Sequence, residues 1–143
     1  YNSYKALKSD SAEALMERSY LKPDSVRWEL HRVWVVDAQL KPGKRHTSPK
    51  GRYYIDEDSW LAVLADRWDV NGNLWKTLFG LSVTYPEMEL TDHITYGFYD
   101  LVTGAWYAGP YVNKTASAIG LQPVANLKNE VFTPDAMVGD QLR

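Results

Sequence analysis

Val26-Arg27-Trp28-Glu29-Leu30-His31-Arg32-Val33-Trp34-Val35-Val36-Asp37-Ala38-Gln39-Leu40 is the stretch whose reading decides the fold. Its even positions are Val26, Trp28, Leu30, Arg32, Trp34, Val36, Ala38 and Leu40, and only Arg32 among them is polar. The odd positions from Arg27 onward are mostly polar. This period-two alternation predicts a strand with one face on a core and one toward water. A helix would mix Trp34 with Arg32 and Glu29 with Val33 on successive turns. Unbroken, at about 3.3 Å per residue, the run would reach on the order of 50 Å. Ordinary strands have about five or six residues, so the length points to a strongly curved sheet or a barrel-like wall. The expectation is that Trp28 and Trp34 turn inward; finding them in solvent would remove the basis of a carrier reading.

Turn chemistry bounds the run. Lys22-Pro23-Asp24 leads into it and Lys41-Pro42-Gly43-Lys44 ends it. Before it, residues 1–25 read as a lead-in, either a short helix through Ala12, Ala14, Leu15 and Met16 or an ordered loop. After it come a basic segment (Lys44, Arg45, His46, Lys50, Arg52) and a short strand at Tyr53-Tyr54-Ile55. The acidic turn Asp56-Glu57-Asp58-Ser59 follows, and then a strand from Trp60 to Val70. The nearly continuous apolar start of that strand predicts cover on both faces. Asn71-Gly72 between two apolar runs is the strongest hairpin signal. Its partner strand runs Leu74 to Tyr85, with Trp75, Phe79, Leu81, Val83 and Tyr85 on one face, and Pro86 stops it. Pro86 to Asp92 reads as a loop, Ile94 to Asp100 as a strand, Leu101 to Gly104 as a turn and Ala105 to Val112 as the last strand. Thr133-Pro134-Asp135 is a helix start.

The composition bounds function. The chain has 143 residues, 45% of them hydrophobic and 24% charged, as in an ordinary globular domain. Six Trp and ten Tyr stand against three Phe, a balance suited to half-wet apolar surfaces. The net charge of −2 gives no argument for nucleic acid. With no cysteine, disulfides, a thiolate nucleophile and Cys-based zinc sites are excluded. No apolar run approaches the ~20 residues of a membrane-spanning helix.

Several motifs in order resemble one family: WELHRVWVV at Trp28 to Val36, LKPGKRH at Leu40 to His46, RYYIDEDSW at Arg52 to Trp60, the hairpin from Asp69 to Trp75, and Val131-Phe132-Thr133-Pro134. Together they resemble the C-terminal part of a Gram-negative bacterial family known as domain of unknown function 1329. The resemblance implies a piece of a longer, exported protein at the periplasm or outer membrane. It implies a fold similar to the Lol lipoprotein carriers, an incompletely closed antiparallel barrel around helices. It carries over no activity and no catalytic residue.

The residues themselves offer little reaction chemistry. Asp56, Glu57 and Asp58 lack the ligand alternation and glycine of a calcium loop and read as a water-facing turn. His31, His46 and His93 show no metal-motif spacing. No nucleophile elbow surrounds any serine. Arg32, set among Trp28, Leu30 and Trp34, needs an anion or an aromatic ring to stack on; Glu29, Asp37, Asp56 or Asp58 within the chain, or a ligand headgroup, would serve as the anion. The basic segment from Lys44 to Arg52 is either a solvated loop or a contact for anionic headgroups.

The reading is therefore a mainly β, α+β protein: a curved antiparallel sheet of about six strands, part of an open Lol-like half-barrel, with short terminal helices. The chain is one domain or a C-terminal fragment, with the sheet over residues 26–112 and a tail over 113–143. The expected function is non-enzymatic binding or transport of a hydrophobic ligand, a lipid or lipoprotein acyl chain, with no cofactor and no metal. The expected ligand face is Trp28, Leu30, Arg32, Trp34, Tyr54 and Trp60. The alternative is an interaction module of an envelope export system that uses exposed sheet edges.

Overall fold

The computed structural model describes Ser3, residues 12–109 and residues 129–139. Six strands form one antiparallel sheet in sequence order: β1 (Val33–Gln39), β2 (Lys50–Asp56), β3 (Ala62–Trp68), β4 (Leu74–Tyr85), β5 (Leu90–Asp100) and β6 (Trp106–Gly109). The sheet is open, with β1 and β6 as its edges. Two short helices, α1 (Ala12–Leu15) and α2 (Pro134–Gly139), lie outside it. This is the mainly β meander that alternation and turn residues predict. No described helix is long and apolar enough to cross a membrane.

The turns sit where their residues demand. Gly72, at φ +82°, closes the β3–β4 hairpin, and the Asp69 carboxylate accepts the Asn71 and Asn73 amides at 2.9 and 2.8 Å. Asp100 accepts the Val102 and Thr103 amides at 3.0 Å each and shapes the β5–β6 turn. β4 spans the residues its alternation predicts. β5 begins earlier than expected, at Leu90, because the 3-10 turn Pro86–Met88 and left-handed Glu89 reverse the chain within four residues. Residues 110–112, the expected end of β6, and most of the tail lie outside the described residues.

The founding stretch is not one strand. β1 starts at Val33, and residues 26–32 cross the sheet outside the ladder. Val26 belongs to the buried cluster, and the indole of Trp28 folds back to donate to the Pro23 carbonyl at 2.9 Å. The alternation of residues 26–32 thus belongs to a strap that dips once into the core. β3 is likewise covered less than predicted: Ala65 is buried, but Leu64 is exposed.

The core lies where the lead-in meets the sheet. Leu15, Leu21 and Val26 pack on Leu81 and Val83, with Met16, Phe79, Tyr85, Ile94 and Trp106 around them. Odd-numbered β4 residues supply this face, as the alternation predicts. Polar anchors fix the lead-in: the Leu21 amide donates to the Tyr99 hydroxyl at 3.2 Å, and the Trp106 indole donates to the Arg18 carbonyl at 3.1 Å. Residues 12–26 are therefore half of the core, not an appendage.

Candidate functional site

The strand register places two different surfaces back to back. On one face the pairs Val36–Tyr53, Tyr53–Ala65, Ala65–Leu78, Leu78–Phe98 and Phe98–Tyr107 form one apolar row through all six strands. Trp34, paired with Ile55, and Tyr96, paired with Gly80, extend it. Trp34, Val36, Tyr96 and Tyr107 are exposed, and Tyr53, Ile55, Leu78 and Phe98 are half-buried. Phe98 and Tyr107 stack with ring centroids 6.2 Å apart. We call this the open face.

The opposite face is packed under the lead-in over β4–β6 and polar over β1–β3. Asp37 pairs with Arg52, Arg52 with Asp66, and Asp66 with Thr77. Arg52 donates to both oxygens of Asp37 at 2.7 and 3.0 Å, and Asp66 accepts the Tyr54 and Thr77 hydroxyls at 3.3 and 3.0 Å. The Arg52 bonds hold the Asp37 carboxyl below its ordinary value. Where residues 27–31 cross this face, a cavity of about 120 Å³ remains, bounded by Trp28, Leu64, Phe79 and Leu81, with His31 and Asp56 at its rim.

That rim is a clasp. His31 Nδ1 lies 2.7 Å from Asp56 Oδ1 and its Nε2 lies 3.1 Å from Glu29 Oε2. A neutral imidazole has one N–H and cannot serve two carboxylates, whereas the imidazolium can. The bond to Glu29, then that to Asp56, accordingly raises the His31 pKa above its ordinary value of 6.5. Asp56 is only 1% exposed, a correction to the water-facing turn expected there. Burial alone would raise its pKa, but the Ser59 hydroxyl at 2.6 Å, the Ser59 amide at 2.9 Å and His31 outweigh that and lower it.

His31, Asp56 and Asp58 each present an atom within 4.8 Å of the others, a spacing a cation can bridge. Asp56, however, already spends its oxygens on His31 and Ser59. Ser59 points its hydroxyl at Asp56 and not at the imidazole, so the three side chains do not form a Ser–His–Asp relay.

The six residues singled out from the sequence do not share a face. Trp28 is 66% exposed and walls the small cavity, and Leu30 on the strap is fully exposed. Trp34 is 54% exposed on the edge strand. Tyr54, one residue beyond Ile55, points to the opposite side from Trp34. Trp60 is exposed in the β2–β3 turn at φ +60°. Arg32 is also exposed and pairs with Glu57 at 3.0 Å, an acid outside the expected set. The inward Trp28–Trp34 face is thus overturned, because the strap breaks the parity that joined them. Of the six, only Trp34 flanks the apolar row.

Sequence reasoning missed Arg67. The register sets it between Gly51 and Lys76 on the open face. Its Nε is buried with no hydrogen-bond partner. It lines a pocket of about 300 Å³ with Ala38, His46, Ser48, Gly51 and Tyr53. The visible signal was one basic residue in strand alternation with Ala65, two positions on.

The sequence pattern of the family described as "protein of unknown function (DUF1329)" matches residues 1–138. An uncharacterized protein of Pseudomonas aeruginosa is 34% identical over 145 residues, a match covering all of this chain and 31% of that protein. The chain thus spans about a third of the length of that relative. Among solved structures, an outer-membrane lipoprotein-sorting protein domain from Vibrio parahaemolyticus aligns over 73% of this chain and 41% of its own, with a TM-score of 0.45 and 17% identity. That degree of likeness carries no argument about ligand or mechanism.

Proposed function

This chain belongs to the DUF1329 family of proteins of unknown function, and on that premise we propose that it is a non-enzymatic binder of a hydrophobic ligand, a lipid or lipoprotein acyl chain, in the cell envelope. The observation that carries the reading is the apolar row from Val36 to Tyr107, which crosses every strand, is exposed at Val36 and Tyr107, half-buried at Tyr53, Leu78 and Phe98, and is flanked by exposed Trp34 and Tyr96. Contiguous exposed apolar surface of this kind marks a binding site more often than a bare surface. Each methylene laid against the row and removed from water stabilises the complex by about 0.8 kcal/mol. The ligand surface is the Val36–Tyr107 row, not the Trp28–Trp34 stretch. The resemblance of the motifs to a family expected at the periplasm or outer membrane supports the location.

The test is a calorimetric titration of the chain with dodecyl maltoside below its micelle concentration. Saturable binding, weakened at least tenfold by Val36→Glu, is expected. No saturable heat would overturn the reading.

A second reading rests on the β1 edge. Bonds from the Leu40 amide to Pro49 and from the Glu57 amide to Arg32 turn even-numbered β1 residues toward β2. Val33, Val35, Asp37 and Gln39 therefore direct their N–H and C=O groups outward, where no described strand pairs with them. If this edge joins two copies, Val35→Pro removes one outward N–H and shifts the chain to monomer in sedimentation. A wild-type chain that stays monomeric at all concentrations excludes the self-pairing.

A further inference from the structure

We propose that Arg67 and the pocket beside it are a headgroup site for an anionic amphiphile, taking a phosphate or carboxylate group while its alkyl tail lies on the adjoining apolar row. The tail half of this inference rests on the ligand reading above; the headgroup half rests on Arg67 itself.

Arg67 lacks the partner that other cations of the described chain have. Arg27 is paired with Glu29, Arg32 with Glu57, and Arg52 with Asp37 on the opposite face. Lys76 lies 4.4 and 4.6 Å from the Trp75 and Phe98 ring centroids and 3.9 Å from Asp100. Among the described residues Arg67 has no ion pair, and its cross-strand neighbours are Gly51 and the cation Lys76. A half-buried guanidinium with an unbonded Nε is costly unless an anion answers it. Its planar fork of donors matches carboxylate and phosphate geometry.

The surroundings fit the same ligand. Gly51 leaves the pocket floor open: a Cβ there would come within 3.3 Å of the Tyr53 ring. His46 is held over the pocket by Ser48, whose amide and carbonyl lie 3.0 and 2.9 Å from its Nδ1. A shallower depression of about 690 Å³ adjoins through Leu40, His46 and Pro49, and Lys44 and Arg45 stand on it. Lys44, Arg45 and Arg67 line the two depressions and no described acidic residue does, although the whole chain carries −2. Tyr53 belongs to both halves, as a wall of the pocket and a member of the row. A molecule with an anionic head and an apolar tail would touch both without a gap.

The test compares three probes by calorimetry: dodecyl phosphate, dodecyl maltoside and inorganic phosphate, the first two below their micelle concentrations. Dodecyl phosphate is expected to bind at least tenfold more tightly than dodecyl maltoside, and inorganic phosphate at least a hundredfold more weakly than dodecyl phosphate. Arg67→Gln should abolish the preference between the two dodecyl probes and leave dodecyl maltoside unchanged. Ala38→Glu, on an exposed edge position, sets a carboxylate in the pocket and should have the same effect should Arg67→Gln fail to fold. Equal binding of both dodecyl probes, or a preference that survives both substitutions, overturns the headgroup site and leaves the apolar-row reading standing. Binding of inorganic phosphate as tight as dodecyl phosphate overturns the amphiphile in favour of a free anion. If neither dodecyl probe binds, both proposals fall.

Discussion

Val83 and Val36 belong to one sheet and sit on opposite faces of it. Val83 is 1% exposed under Leu15, Leu21 and Val26, whereas Val36 is 43% exposed at the end of a row that nothing described covers. Both faces carry aromatic and aliphatic side chains in strand alternation, so hydrophobicity alone does not separate them. What separates them is the lead-in, whose two anchoring hydrogen bonds hold it on the β4–β6 side. The difference teaches that in this chain one apolar face is packed under the lead-in and the other is not, and the uncovered one is the surface proposed for binding.

Substitutions should divide along that line. Leu81→Ala removes packing from the covered cluster and should cost about 2–5 kcal/mol in denaturant unfolding. A loss below about 1 kcal/mol would mean that the lead-in does not pack there. Gly97→Ala comes next, because a Cβ on Gly97 would collide with the Tyr107 carbonyl and lie 2.6 Å from the Phe79 ring. Spreading β5 from β6 should cost about 1–3 kcal/mol in the same measurement.

The clasp at the strap predicts a smaller, pH-dependent effect. The folded-state pKa of His31 is raised, so its contribution is fully present below the unfolded value of 6.5 and is lost as pH rises through the folded pKa. Asp56 runs the other way: its folded pKa is lowered, so its contribution is present above 3.8 and is lost as pH falls through the folded value. His31→Gln should therefore destabilise the chain most near pH 6, and the gap to wild type should narrow toward pH 9. A gap constant across that range would show that the ring is not charged in the fold. Smallest of all, Val36→Ser should change stability by no more than about 0.5 kcal/mol while weakening dodecyl maltoside binding.

Much of this was legible in the residues. Asn71-Gly72, Pro86 and the turn at Leu101–Gly104 fixed where strands end, and the odd-numbered residues of β4 named the buried face. The error at Val26–Leu40 has a physical origin. A strap that dips once into a core and then runs over water mimics alternation for a few residues, and only the hydrogen bonds of β1, starting at Val33, tell the two apart. Leu15 and Leu21 looked like a peripheral lead-in because their partners, Leu81 and Val83, are distant in sequence. Arg67 escaped notice for the same reason. Nothing local reveals that its cross-strand neighbours are a glycine and a lysine, or that no described acid lines the pocket beside it.

The most direct test is side-chain NMR of the chain titrated with dodecyl maltoside. Resonances of Val36, Leu78, Phe98 and Tyr107 should shift together and saturate together, while those of Leu64, Leu81 and Val83 stay in place. Shifts concentrated on Leu64, Leu81 and Val83, or absent from both sets, would contradict the assignment of the open face as the binding surface.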